Sequence, residues 1–212
     1  YLKLKGIDGL KQIEVDATLV VKGIDDDELE EFKKEHVELT LERRSDKACL
    51  TSEIDSGFSF SSLFKNREAY INLEVRTPKN LELNIDDGSG FIEVFDMNGD
   101  VELEDGSGSI TLENIMGKVS IDDGSGSIAL ANIGGDLQIE DGSGEIKITK
   151  VAGDVDVDDN SGEIDISDIK GSVVVDDGSG GINIERVEKD VTIKNAGSGS
   201  VDIREVKGKV RK

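Results

Sequence analysis

The sequence predicts an all-β fold: a single-stranded, right-handed β-solenoid with 18-residue coils, two short strands per coil, and an irregular, mostly-β N-terminal cap containing one short helix. Three observations predict it. The tetrapeptide Asp-Gly-Ser-Gly recurs with its Asp at Asp87, Asp105, Asp123, Asp141, Asp159 (where Asn160 replaces the Gly) and Asp177, each step being 18 residues. Apolar residues follow the same period. A second column of glycines, Gly99, Gly117, Gly135, Gly153, Gly171 and Gly208, marks another corner. A constant period means one unit stacked on itself, each coil touching only its neighbours.

Within a coil the elements follow in order. The first strand carries two apolar columns, Ile92, Ile110, Ile128, Ile146, Ile164, Ile182, Val201 and Val94, Leu112, Leu130, Ile148, Ile166, Ile184, Ile203. A turn then holds one apolar residue: Met97, Ile115, Ile133, Val151, Ile169, Val187, Val206. The second strand carries Val101, Val119, Leu137, Val155, Val173, Val191, Val210 and Leu103, Ile121, Ile139, Val157, Val175, Ile193. Alternation over a few β-branched residues is the strand signal. Equivalent strands stacked coil on coil form parallel sheets, and about seven coils at about 4.8 Å make a rod on the order of 33 Å long. Right-handedness is the expected hand for parallel crossovers. Gly88, Gly90 and their repeats supply positive φ at the first corner. Lys189 interrupts the second glycine column and predicts a corner that is strained or differently shaped there. A seventh copy of the tetrapeptide, Asn195-Ala196-Gly197-Ser198-Gly199, carries one inserted residue.

Two other solenoids fail on spacing. The left-handed hexapeptide helix needs an aliphatic residue every sixth position, which these columns do not provide. The calcium-binding nonapeptide repeat needs Gly-Gly-x-Gly-x-Asp-x-apolar, with an Asp ligand two residues after its last glycine. In Asp123-Gly124-Ser125-Gly126-Ser127-Ile128 that ligand is missing.

Residues 1–80 read as the β-rich cap continuous with the solenoid, and residues 81–212 as the solenoid with a basic C-terminal end. In the cap, Ile13, Val15, Ala17, Leu19 and Val21 alternate as one strand. Asp25-Asp26-Asp27 opens a short helix, with Leu29 and Phe32 on one face. Val37, Leu39 and Leu41 form another strand, and Ile71, Leu73 and Val75 a third. Pro78 sits in the turn before Leu81, Leu83 and Ile85 enter the repeat. A cap is expected because a bare solenoid end exposes strand edges.

The net charge of −22 over 212 residues is uneven. Residues 81–202 hold 29 acidic and 7 basic side chains, whereas residues 203–212 hold five basic and one acidic. Such a field repels nucleic acid and anionic lipid and favours cations or basic partners. The basic tail reads as a solubilising end. No apolar run reaches the length of a transmembrane segment. The chain opens at Tyr1 without a signal peptide in view, which reads as a trimmed N-terminus. The one cysteine, Cys49, excludes an internal disulfide.

Candidate sites are few. Stacked Asp87, Asp105, Asp123, Asp141, Asp159 and Asp177 bring like charges about 5 Å apart, at a cost on the order of 1 to 3 kcal/mol per neighbouring pair. Each Asp accepts hydrogen bonds from the amides of its own turn in the simpler reading. In the alternative, Asp87, Asp105, Asp123, Asp141 and Asp177 with adjacent carboxylates form a cation-binding edge that would suit Ca2+. No other cofactor is expected. Phe58, Phe60, Leu63 and Phe64 gather three of the six phenylalanines and read as a plug over the first coil or as a partner-contact or membrane-touching loop. His36, the only histidine, has no partners for zinc or a nucleophilic triad. Glu93 heads an outward column that continues through Thr111, Ala129, Lys147, Asp165, Asn183 and Asp202, and Glu93→Lys should be nearly silent. The coils carry no inserted loop bearing an acid–base pair, so the chain does not read as an enzyme.

The run Leu81-Glu-Leu-Asn-Ile-Asp-Asp-Gly-Ser-Gly90, with Gly99-Asp100-Val101 and Gly117-Lys118-Val119, resembles the bacterial candidate-adhesin family, a β-strand-repeat domain of unknown function. The resemblance implies an envelope-associated, extracytoplasmic protein with a right-handed solenoid. The expected function is a non-catalytic binding or scaffold module that presents a rigid acidic surface to a protein or glycan partner. The alternative is a regulatory or sensor domain of an envelope-stress system, with a polysaccharide-acting enzyme third. Self-association is expected through the N-terminal cap or the solenoid ends.

Overall fold

A computed structural model describes residues 1–55 and 68–212 of the chain. Its elements in order are β1 (Leu2–Ile7), β2 (Glu14–Val21), α1 (Asp26–His36), β3 (Val37–Arg44), β4 (Lys47–Ile54) and β5 (Ala69–Pro78). The coils then alternate longer and shorter strands: β6 (Leu83–Asp87), β7 (Gly90–Met97), β8 (Val101–Asp105), β9 (Gly108–Ile115), β10 (Val119–Asp123), β11 (Gly126–Ile133), β12 (Leu137–Asp141), β13 (Gly144–Val151), β14 (Val155–Asp159), β15 (Gly162–Ile169), β16 (Val173–Asp177), β17 (Gly180–Val187), β18 (Val191–Ala196), β19 (Val201–Val206) and β20 (Val210–Arg211). The fold is the expected β-solenoid of parallel strands, about seven coils long, with one helix among the described residues.

The chain divides into two compact units, Tyr1–Val15 with Glu74–Lys212, and Asp16–Leu73. This differs from a cut at 80/81. The first fifteen residues belong with the solenoid because β1 pairs in parallel with β7.

In the solenoid unit, the long sheet takes the odd strands from β7 to β19, and the second sheet takes the even strands from β6 to β20. The register is the repeat itself: Val119 stands beside Leu137 and Ile128 beside Ile146, 18 residues on. All five apolar columns turn inward as far as Ile193; in the last coil Val201, Ile203 and Val206 are half-buried and Val210 is exposed. Ile92, Ile110, Ile146, Ile164 and Ile182 are fully buried, and Ile128 is nearly so. Each such isoleucine withdraws about 2 to 3 kcal/mol of apolar surface from water. Stacked aliphatic side chains, mostly isoleucine and valine, fill the space between the sheets from coil to coil. The regular ladder ends at β18, where the register shifts between Val175 and Asp176 to absorb the inserted residue.

The glycine corners have two causes rather than one. Gly126 lies at φ +142°, where a side chain is strained, whereas its neighbour Gly124 has no positive φ. Gly124 is needed for proximity, since an added Cβ would sit 2.5 Å from the carbonyl oxygen of Gly106 in the coil below. Lys189, in the other glycine column, keeps its φ outside the left-handed region. Its corner is therefore not strained in that sense.

In the second unit, β3 and β4 form an antiparallel hairpin with Thr40 opposite Thr51. Helix α1 is capped by Asp25, whose side chain accepts from the Glu28 amide at 2.9 Å. Among the described residues no helix is long and apolar enough to cross a membrane.

Candidate functional site

The repeated Asp ends each short strand of the second sheet. It follows two inward residues at alternate positions (Val119, Ile121, Asp123), so strand alternation points it inward as well. Asp105, Asp123, Asp141, Asp159 and Asp177 are all buried, while Asp87 at the first coil is half-buried. One oxygen of each carboxyl is satisfied. Oδ1 accepts from the amide two residues on: Ser107 to Asp105 at 3.3 Å, Ser125 to Asp123 at 3.2 Å, Ser143 to Asp141 at 3.1 Å, Ser161 to Asp159 at 3.0 Å and Ser179 to Asp177 at 2.9 Å. The expected turn bond is therefore present in every one of these five coils. The second oxygen, Oδ2, is buried in all five without a protein hydrogen-bond partner.

This arrangement resolves how like charges can stack. Burial pushes the carboxyls of Asp105, Asp123, Asp159 and Asp177 above the usual range; the serine amides pull them down, and the adjacent carboxylates push them up again. Asp141 is pushed up to about 6, chiefly by burial. A raised value keeps these carboxyls protonated to a higher pH than free ones, which lessens the repulsion along the stacked file as pH falls. As a cation edge the geometry is poor. Calcium takes six to eight oxygens, whereas here the carboxyls are spread along the axis with one oxygen each committed to an amide. Among the described residues, no three His, Cys, Asp or Glu side chains converge as metal ligands would.

The opposite corner holds two features that the hydrophobic columns hide. Asp96, Asn114, Asn132, Lys150, Asp168, Arg186 and Glu205 all have φ between 53° and 61°. This left-handed residue kinks the long strand so that the next apolar residue, Ile133 in its coil, also turns inward. Asn and Asp tolerate that conformation best among side-chain-bearing residues. They also ladder: Asn114 donates to Asp96 at 3.0 Å, and Asn132 to Asn114 at 3.1 Å. At the glycine corner, Asp136 accepts from the Asp154 amide at 3.0 Å, and Asp154 from the Ser172 amide at 2.7 Å, so each stitches the next coil. The signal was an Asx-rich column at the 18-residue period.

The outer face of the long sheet carries a groove of about 320 Å³ over β13, β15, β17 and β19. Its polar lining is Lys147, Thr149, Asp165, Ser167, Asn183, Glu185, Asp202 and Arg204. The Asn183 amide donates to Asp165 at 2.9 Å and to Glu163 at 3.2 Å. The hydroxyls of Thr149 and Ser167 lie 3.3 Å apart. Arg204 pairs with Asp202 and holds its carboxyl below the usual range. Lys147 makes no ion pair among the described residues. The groove is thus a pre-formed field of hydroxyls, amides and both charges on rigid strands.

A family model described as Toastrack DUF4097 matches residues 8–211. The chain belongs to the Toastrack DUF4097 family. That membership names a solenoid domain of unknown function and brings no catalytic or ligand residues with it. No curated protein and no solved structure gives a significant match.

The other predicted residues of this Toastrack chain fall as follows. Phe58, Phe60, Leu63 and Phe64 lie outside the described residues. His36 ends α1 with its ring 5.2 Å from that of Phe32. Glu93 corrects an expectation. It is not a free outward position, because it accepts from the Tyr1 hydroxyl at 2.6 Å and pairs with Lys3 at 3.4 Å. Strand β1 carries only three apolar positions and no repeat, so neither it nor this contact was legible. The basic C-terminal end is largely tied to the coil before it: Lys207 to Glu188 at 3.1 Å and Arg211 to Asp190 at 3.3 Å.

Proposed function

We propose that this Toastrack domain is a non-catalytic binding module of the bacterial envelope, and that the outer face of its long sheet receives a glycan. The observation that carries the reading is the polar groove on β13, β15, β17 and β19. Its hydroxyl, amide and carboxylate groups stand at fixed spacing on strands held from below by buried isoleucines. That chemistry suits sugar hydroxyls. The surrounding acidic field favours neutral or amino-bearing saccharides and disfavours acidic ones. The adhesin-like resemblance agrees with such a role.

The test is binding of the intact chain to an array of neutral, amino-bearing and acidic glycans. The comparison is an Asp165→Ala/Asn183→Ala variant whose melting temperature matches the parent. Binding to the first two classes, lost in the variant and without cleavage of the bound glycan, is expected. A folded chain that binds none of them overturns the glycan assignment. Turnover of a bound glycan overturns the non-catalytic one.

A further inference from the structure

From β7 to β19 every neighbouring pair in the long sheet joins consecutive coils. One position breaks the pattern. The chain runs from β5 through β6 directly into β7, yet β5 and β7 are not neighbours; β1 lies between them. A segment from the start of the sequence thus occupies the strand position where two successive coils would otherwise meet. It also lies outside the family-matched residues.

The position selects its occupant. β1 runs parallel to β7, with Leu2 beside Ile92 and Leu4 beside Val94. Leu4 is buried. At Gly6 there is no room for a side chain: an added Cβ would lie 2.2 Å from the Asp96 carbonyl oxygen and 2.8 Å from the Met97 sulfur. On the outer side, Lys3 pairs with Glu93 and lies 5.6 Å from the Phe95 ring centroid, and Lys5 stands 3.5 Å from Asp96. The position therefore reads an apolar-basic-apolar-basic-glycine strand. Strand addition of this kind takes affinity from the backbone and specificity from alternate side chains.

We infer that the slot between β7 and β5 is a strand-acceptor site, and that a second copy of this chain, donating its own Leu2–Ile7, is the partner it fits. The complementary sequence belongs to the chain itself. A copy whose β1 leaves the slot presents both a free strand and an open acceptor, the two halves of a reciprocal exchange. Residues 8–13 between β1 and β2, with Gly9 at φ +72°, are the hinge such an exchange would straighten.

Paired cysteines test this in the full chain. In a Cys49→Ser background, one preparation carries Lys3→Cys and the other Glu93→Cys, positions that are register partners. The two are mixed, incubated and oxidised. A disulfide-linked heterodimer is expected, because strand neighbours stand within disulfide reach. It should be lost when one chain carries both substitutions and so locks its own strand in place. Failure of the mixture to yield the heterodimer, or its persistence with the locked chain, overturns the inference. A second measurement uses Gly6→Val, which empties the slot. A labelled peptide of the first seven residues should bind that variant saturably, and the same peptide with Val at the sixth position should not. Equal binding of both peptides, or none, also overturns it.

Discussion

The amide of Ser143 donates to Oδ1 of Asp141 at 3.1 Å, while Oδ2 of the same carboxyl is buried with no protein partner. Half of each buried Asp is thus built into the turn, and half faces an environment that penalises charge. The sign of the pH dependence follows. The folded-state value of about 6 for Asp141 lies above the ordinary 3.8, so the folded protein binds this proton more tightly than the unfolded chain. The charge penalty is absent below about pH 4, grows as pH rises through the interval, and is complete above about 6, amounting to roughly 3 kcal/mol for this residue. The file members whose carboxyls are also raised act in the same direction. The melting temperature should therefore rise on going from pH 7.5 to pH 5, by roughly 5 to 10 °C. Calorimetry at high salt, which screens the exposed charges of this acidic chain but not the buried file, is the decisive measurement. A melting temperature that falls with acidification over this range would contradict the account.

Asp141→Asn isolates the same effect. An amide oxygen can still accept from Ser143, and the amide NH2 can donate to a neighbouring carboxyl. In the last coil the exposed Asn195 shows that an amide oxygen can make this turn bond, accepting from the Gly197 amide at 3.1 Å. The variant should be more stable than the parent at pH 7.5 by about 1 to 3 kcal/mol. The gain should vanish near pH 4, where the parent carboxyl is protonated. Asp141→Ala, which removes the acceptor, should be less stable than Asp141→Asn at every pH. Urea unfolding at the two pH values gives both numbers.

Three substitutions rank the solenoid's positions. Ile128 is 1% exposed, and Ile128→Asp forfeits about 2 to 3 kcal/mol of burial before the charge penalty. It should abolish cooperative unfolding or lower its midpoint severely. Ser127→Lys, one residue earlier and exposed, should stay within about 0.5 kcal/mol of the parent. Glu93→Lys should fall between them, since it removes the partner of Tyr1 and Lys3 and sets two lysines side by side. A silent Glu93→Lys would mean that β1 owes nothing to this contact. Urea midpoints order the three.

The ladder of Ile128 and its equivalents was legible because an inward position in a stacked coil admits only apolar residues, and repetition multiplies that signal. The inward Asp was legible as a turn residue but not as a buried one, because its environment depends on which way strand alternation sends it. Asn132 and its column were hidden for a different reason. Lys150, Arg186 and Glu205 occupy the same left-handed conformation, so the column is mixed in composition. Strand β1 was invisible because its partner in β7 lies far away in sequence, and one short strand carries no period. The groove depends on how outward side chains from four coils group together, and neighbouring coils vary freely at those positions.

Asn132 separates backbone conformation from side-chain bonding. At φ 59° a β-branched residue is disfavoured by roughly 1 to 2 kcal/mol, whereas glycine is at ease. The side chain adds a bond, donating to Asn114 at 3.1 Å. Asn132→Gly keeps the backbone and loses the bond, so it should cost about 1 kcal/mol. Asn132→Val loses both and should cost about 2 to 3 kcal/mol, and it should loosen the seat of Ile133, which the kink turns inward. If Gly and Val cost the same, the left-handed kink is not what positions Ile133, and the side-chain ladder alone holds the corner. Urea unfolding combined with amide exchange of residues 131–134 distinguishes the two, because only a backbone effect raises exchange at Ile133 in the Val variant and leaves it unchanged in the Gly variant.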